Sequence, residues 1–201
     1  MKPLLLLSVA ILASFAFSFQ RSVLPLGSDI PKADIKMKTV EGAITTLQEA
    51  KTANGLLVMF TCNTCPYVIK NQARTKEICS FAQTIQIGVI LLNSNEGNRP
   101  ANGETYKDMQ VYAKGQDFNW PYAVDSDNML ADAFGATRTP ECFLFDANGK
   151  LVYHGAIDDS PADISQVSRH HLKEAITEMK YGKNISVKES RSIGCSIRRK
   201  S

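Results

Sequence analysis

Phe60-Thr61-Cys62-Asn63-Thr64-Cys65-Pro66-Tyr67-Val68 holds two cysteines three positions apart, after an apolar run and before a proline. Three readings compete: a redox pair, half of a metal site, or two small core residues. The flanks bear on the choice. Leu56-Leu57-Val58-Met59-Phe60 is continuously apolar, the pattern of a strand buried on both faces. Pro66–Ala82 follows with Val68, Thr75, Cys79 and Ala82 near one helical face, leaving Lys70, Arg74 and Lys76 for solvent. Ile85–Leu92 reads as a second buried strand. The cysteines therefore fall at the strand-to-helix turn of a βαβ unit.

That position suits sulfur chemistry. A thiol attacks as its thiolate, and a cysteine in water ionises near about pH 8.5. A helix amino terminus stabilises the anion through unpaired N–H groups and the macrodipole. With two residues between them, one cysteine attacks a disulfide and the other releases the mixed intermediate. Zinc needs about four ligands, and no second C-x-x-C or H-x-x-x-H accompanies this pair. Haem attachment needs histidine after the second cysteine, where Pro66 stands. A copper relay would need His154, His170 or His171, and no spacing supports one. We expect no cofactor and no metal, with a non-enzymatic copper-binding module as the lesser alternative.

Around this unit, Ile35–Thr39 and Ala43–Thr46 read as short strands about a Glu41-Gly42 turn, with Leu47–Ala53 a helical turn. A polar loop from Asn93 precedes a helix over Tyr106–Lys114. Tyr122–Val124 is a strand and Asn128–Phe134 a short helix stopped by Gly135. Glu141–Phe145 and Leu151–His154 form a hairpin around Asp146-Ala147-Asn148-Gly149. A last helix is expected over Ile164–Tyr181, ended by Gly182. This order predicts an α/β chain with a thioredoxin-like fold. It has a central mixed sheet flanked by helices, an amino-terminal β extension, and an insert before the hairpin. Pro140, directly ahead of an apolar strand, is a candidate cis proline. There it would sit against the cysteine pair and leave the neighbouring backbone open to a substrate strand.

Three motifs together resemble one family. They are Phe60-Thr61-Cys62-Asn63-Thr64-Cys65-Pro66 (F-x-C-N-x-C-P), Thr139-Pro140-Glu141-Cys142-Phe143-Leu144-Phe145-Asp146 (T-P-x-x-F-L-F-D) and Gly194-Cys195-Ser196-Ile197-Arg198 (G-C-S-I-K/R). The chain is similar, over about Gly27 to Lys200, to thioredoxin-like redoxins of the peroxiredoxin-like, AhpC/TSA-related group. The resemblance implies a thiol-disulfide oxidoreductase or a thiol-specific antioxidant. Its partners would be protein or small-molecule thiols and disulfides, with a thiol-based electron donor. Cys62 is expected to attack, Cys65 to resolve, and Pro140 to shape the substrate groove.

Two departures qualify this. In the peroxiredoxin pattern P-x-x-x-T-x-x-C, laid on Cys65, Cys62 takes the threonine's place and Val58 the proline's. Peroxidase activity therefore stands as the alternative, with Arg138 as its cation. Thioredoxins also carry a buried acid on an early strand, which Leu56–Phe60 lacks. Glu141 is the substitute candidate for proton transfer.

The remaining cysteines differ in prospect. Cys79 lies on the Cys65 helix, roughly 21 Å along it at about 1.5 Å per residue, too far for a bridge. Cys79 and Cys142 read as core. Cys195 is either a resolving thiol that folds back on Cys62 or Cys65, or an exposed cysteine of the tail. Arg198-Arg199-Lys200 reads as a solvated end, too short a run to imply nucleic acid.

The 201 residues carry a net charge of +3, too little to argue for a nucleic-acid partner. Residues 1–18 combine Lys2, an apolar run and Ala16-Phe17-Ser18, the layout of a cleaved secretory signal. The run is short for a membrane span of about 20 residues. The expected organisation is a signal at 1–18, a redoxin domain at 19–182 and a basic tail at 183–201 carrying Cys195. Such a chain works outside the cytoplasm, in the periplasm or an equivalent compartment, or stays anchored there if the signal is retained.

Overall fold

The computed structural model describes residues 22–96 and 103–199. The expected signal lies outside the described residues, as does part of the polar loop after Asn93. Strands β1 (Met37–Lys38) and β2 (Ile44–Thr45) form a small hairpin. Helix α1 (Leu47–Ala50) follows, opened by Thr46 and Glu49 as a capping box. Then come β3 (Leu56–Thr61), α2 (Pro66–Thr84), β4 (Gly88–Asn93), α3 (Tyr106–Gly115), β5 (Tyr122–Val124) and α4 (Met129–Phe134). The chain finishes with β6 (Arg138–Thr139), β7 (Glu141–Phe145), β8 (Leu151–Gly155), α5 (His171–Lys180) and β9 (Cys195–Ser196).

The central sheet has the order β5-β4-β3-β7-β8. β3 pairs in parallel with β4, and β4 with β5, whereas β7 runs antiparallel to both β3 and β8. β3 sits in the middle, which is why its six residues are buried on both faces. Alternation divides them. Leu57 and Met59 join a core with Ile78 and Cys79 of α2, Met109 of α3 and Leu172 of α5. Leu56, Val58 and Phe60 face the opposite core with Leu47, Leu130 and Phe134. There Phe60, Phe134 and Phe143 meet edge-on, with ring centroids 5.0–5.7 Å apart. Cys79 and Cys142 are buried in the first core, as expected.

Three expectations are corrected. The last helix is shorter: Ile164–Gln166 is an isolated 3-10 turn and α5 begins only at His171. Asp159 breaks the run by accepting from the Ser168 amide at 3.0 Å, while its own N–H donates to Arg169 O at 3.1 Å. Ile164 is exposed, so no apolar face holds this turn to the sheet. Arg74 is buried rather than solvated. Its Nη1 donates to Asp158 Oδ2 at 2.5 Å and to Ser160 O at 3.1 Å, clamping α2 to the segment after β8.

The third correction concerns Arg199, part of the end expected in solvent: residues 183–199 run along the domain as a strap. His154 N donates to Lys188 O and Ser190 N to His154 O, each at 3.0 Å. Ile197 is buried in the second core. Arg199, expected in solvent, donates from Nε to Asp132 Oδ1 and from a terminal nitrogen to Ala136 O, both at 2.6 Å.

Candidate active site

Sheet register brings the first two motifs together. β3 and β7 are antiparallel with Phe60 opposite Glu141. Continuing past Phe60, the chain passes Thr61 and Cys62 while its partner recedes through Pro140 and Thr139. The Thr139–Pro140 peptide bond is cis, as the sequence suggested. Cys62 lies just beyond β3, and Cys65 is the N-cap of the 19-residue α2, with Pro66 at the first helical position where no N–H is required. Cys62, Cys65 and Val68 form a small buried cluster of their own, against which Tyr67 and Cys195 pack.

The two sulfurs lie in one buried cluster and both meet Thr139. Cys62 Sγ is 3.4 Å from Thr139 Oγ1, and Cys65 Sγ is 3.3 Å from Thr139 O, to which it donates when protonated. Their ionisation is pushed in opposite directions. The neighbouring Cys62 thiol holds Cys65 well below the usual thiol range, helped by the Cys195 thiol and the Val68 and Cys195 amides against the opposing cost of burial. Cys62 is raised by the neighbouring Cys65 sulfur, then by burial and by the negative charge of Glu104. Both shifts favour ionisation at Cys65, at the helix terminus, over ionisation at Cys62.

Glu104 was not singled out from sequence. It is fully buried, and its carboxylate grips the two residues between the cysteines. Oε1 accepts from the amides of Asn63 at 3.1 Å and Thr64 at 2.9 Å, and from Thr64 Oγ1 at 2.6 Å. Oε2 accepts from Asn93 Nδ2 at 2.9 Å. Asn93 Nδ2 also donates to the Tyr122 hydroxyl at 2.9 Å, which in turn donates to Asn63 Oδ1 at 2.9 Å. Charge-assisted bonds to consecutive amides fix the loop geometry. The only local signal was the Thr105–Asp108 capping box that opens α3 one residue later. The partners in β4, β5 and the cysteine loop are distant in sequence.

Glu141, the expected proton carrier, has both oxygens engaged elsewhere. Oε2 accepts from Thr137 N at 2.7 Å and Arg138 N at 2.9 Å, and Oε1 lies 2.8 Å from His154 Nε2. This arrangement braces the loop before Pro140 and gives Glu141 no hydrogen bond to either sulfur. Arg138 is exposed, and its Nη1 donates to Ser196 Oγ at 2.8 Å. The backbone beside Pro140, expected to be open, is covered by the chain's own β9. Arg138 pairs with Ser196 and Thr139 with Cys195, antiparallel. A β-carbon on Gly194 would lie 2.0 Å from Thr139 O, so only glycine permits this approach.

A family model described as Redoxin matches residues 25–169. A hypothetical protein of Sinorhizobium meliloti is 30% identical, with 90% of this chain and 97% of that one covered and a TM-score of 0.80. An uncharacterized conserved protein of Geobacillus kaustophilus is 28% identical over 88% of this chain and 93% of its own, with a TM-score of 0.81. A thioredoxin-like protein solved in its oxidised form is 18% identical over 80% of this chain and 99% of its own, with a TM-score of 0.61, a likeness of fold. No curated protein matches significantly.

Proposed function

Because the chain belongs to the redoxin family, and so to the thiol-based redox proteins of oxidoreductase or peroxidase kind, we propose that it is a thiol-disulfide oxidoreductase working through a Cys62–Cys65 couple. The observation that carries this is the buried Cys62–Cys65 cluster at the head of α2, both sulfurs set against Thr139 beside the cis Pro140, with ionisation favoured at Cys65. In this reading Cys65 supplies the attacking thiolate and Cys62 the trapping thiol, the reverse of the order expected from sequence. Cys65 attacks one sulfur of a disulfide, the S–S bond breaks, and the leaving thiolate takes a proton from solvent. Cys62 then attacks Cys65, forming the internal disulfide. Its proton leaves with the second departing sulfur, and the substrate has gained two electrons. The peroxidase alternative has less support, since Arg138 is bonded to Ser196 at the surface.

The reading is tested by labelling the reduced protein with a small alkylating agent across pH, then mapping peptides before and after oxidation. Within the couple, Cys65 is expected to label before Cys62 and to stay reactive below the usual thiol range of about pH 8.5, and oxidation should link Cys62 to Cys65. Labelling of Cys62 ahead of Cys65 would reverse the roles, and failure to form that link would reject the couple.

We also propose that the protein acts outside the cytoplasm after loss of residues 1–18, where disulfides persist. The basis is the leader's composition. Mass spectrometry of the protein recovered from its native cells should find the chain beginning at Phe19, and an intact Met1 terminus in a cytoplasmic fraction would refute export.

A further inference from the structure

Both sulfurs of the couple are shut in. Cys62 is 0% exposed and Cys65 2%. Above them, β9 holds the backbone edge of Thr139 that a substrate strand would need. The strap is fastened on both sides of Cys195. Gly194 allows the close approach before it. Beyond it, Ile197 N donates to Thr137 O at 3.0 Å and Arg198 N to Asn95 Oδ1 at 2.8 Å. Cys195 itself is only half-buried, and it packs against the cluster that Cys62 and Cys65 form. It lies beyond residues 25–169, to which the family match extends.

We propose that β9 stands where a bound substrate strand would lie, and that Cys195 is the port through which the buried couple exchanges electrons with outside thiols and disulfides. This rests on the Cys62–Cys65 couple proposed above. Taking oxidised glutathione as the outside disulfide, the Cys195 thiolate attacks it, forms a mixed disulfide and releases one glutathione thiolate. Cys65 attacks the sulfur of Cys195, forming a Cys65–Cys195 bond and releasing the second glutathione. Cys62 then attacks Cys65, giving the internal disulfide and returning Cys195 as a thiol that carries the proton Cys62 has lost. One S–S bond forms and one breaks at each step, and two electrons pass from the couple to glutathione. In the reverse direction an outside thiol draws on the same three steps.

Two measurements decide it. Reduced Cys62→Ser protein, given one equivalent of oxidised glutathione and mapped by mass spectrometry, should carry a Cys65–Cys195 disulfide with both glutathiones released. A stable glutathione adduct on Cys65 with Cys195 still a thiol would overturn the proposal. In the second, acid-quenched time points compare formation of the Cys62–Cys65 link by oxidised glutathione in the unaltered protein and in Cys195→Ala. The variant should be at least about tenfold slower, with Cys195→Ser equally slow and both unfolding at the temperature of the unaltered protein. Equal or faster oxidation without Cys195 would refute the port while leaving the couple intact. No Cys62–Cys65 link in the unaltered protein would instead refute the couple.

Discussion

Cys65→Ser is expected to reduce insulin disulfides no faster than the dithiol donor alone. Cys62, Cys65 and Cys195 pack together, and Cys65 is the one that stands at the head of α2. It is also where ionisation is favoured. Removing it takes away the attacking thiolate and the atom through which any trapping step must run, so no partial cycle survives. Serine keeps the size of the side chain and its place at the N-cap, a position serine favours, so the fold should hold. Turnover equal to that of the unaltered protein, in a Cys65→Ser sample with unchanged thermal unfolding, would place the chemistry elsewhere. Cys62→Ser is the informative contrast, since it spares the attacking sulfur and removes its nearest trap.

Arg74→Ala should cost about 3–5 kcal/mol of folding stability, because it strands a buried carboxylate. Asp158 has no exposed side-chain surface and Arg74 only 6%. The guanidinium also donates to Ser160 O at 3.1 Å and to Pro161 O at 3.4 Å; these carbonyls keep Asp163 N and Asn71 Nδ2 as donors, so the cost falls on the unpaired charge. In urea the loss should appear as a fall in midpoint of more than about 1 M. Replacing both partners with apolar residues should recover much of it, since the penalty comes from an unpaired charge rather than from loss of a favourable ion pair. A single variant within about 0.5 kcal/mol of the unaltered protein, the range of ordinary surface changes, would mean that the clamp contributes nothing.

Arg74 also shows where reading a sequence stops. The α2 pattern placed Val68, Thr75, Cys79 and Ala82 inward, and all four are buried. The same pattern put Arg74 outward with Lys70, because helical periodicity assigns a charge to solvent unless its partner is known. Asp158 is 84 residues away. Glu104 was missed for the same reason, as its burial follows from amides and an asparagine on other elements. By contrast, the cysteine turn, the cis Thr139–Pro140 bond and the β7–β8 hairpin rest on local signals, and each is where those signals put it. The end at Arg198-Arg199-Lys200 was read as solvated from its charge, yet the tail as far as Arg199 packs on the domain. Its anchors are single residues, Gly194, Ile197 and Arg199, matched to surfaces that only the folded domain provides.

Cys79 on α2 and Cys142 on β7 share the core between that helix and the sheet, and burial pushes both thiols far above the ordinary range. Neither therefore offers a nucleophile while the domain is folded. A chain with five thiols invites scrambled bridges in an oxidising setting, and here folding withdraws two of them before any oxidant can act. Mispairing is then confined to the moments before the sheet closes. Burial between helix and sheet, not the chemistry of the surface, keeps these two sulfurs out of exchange once the domain has formed.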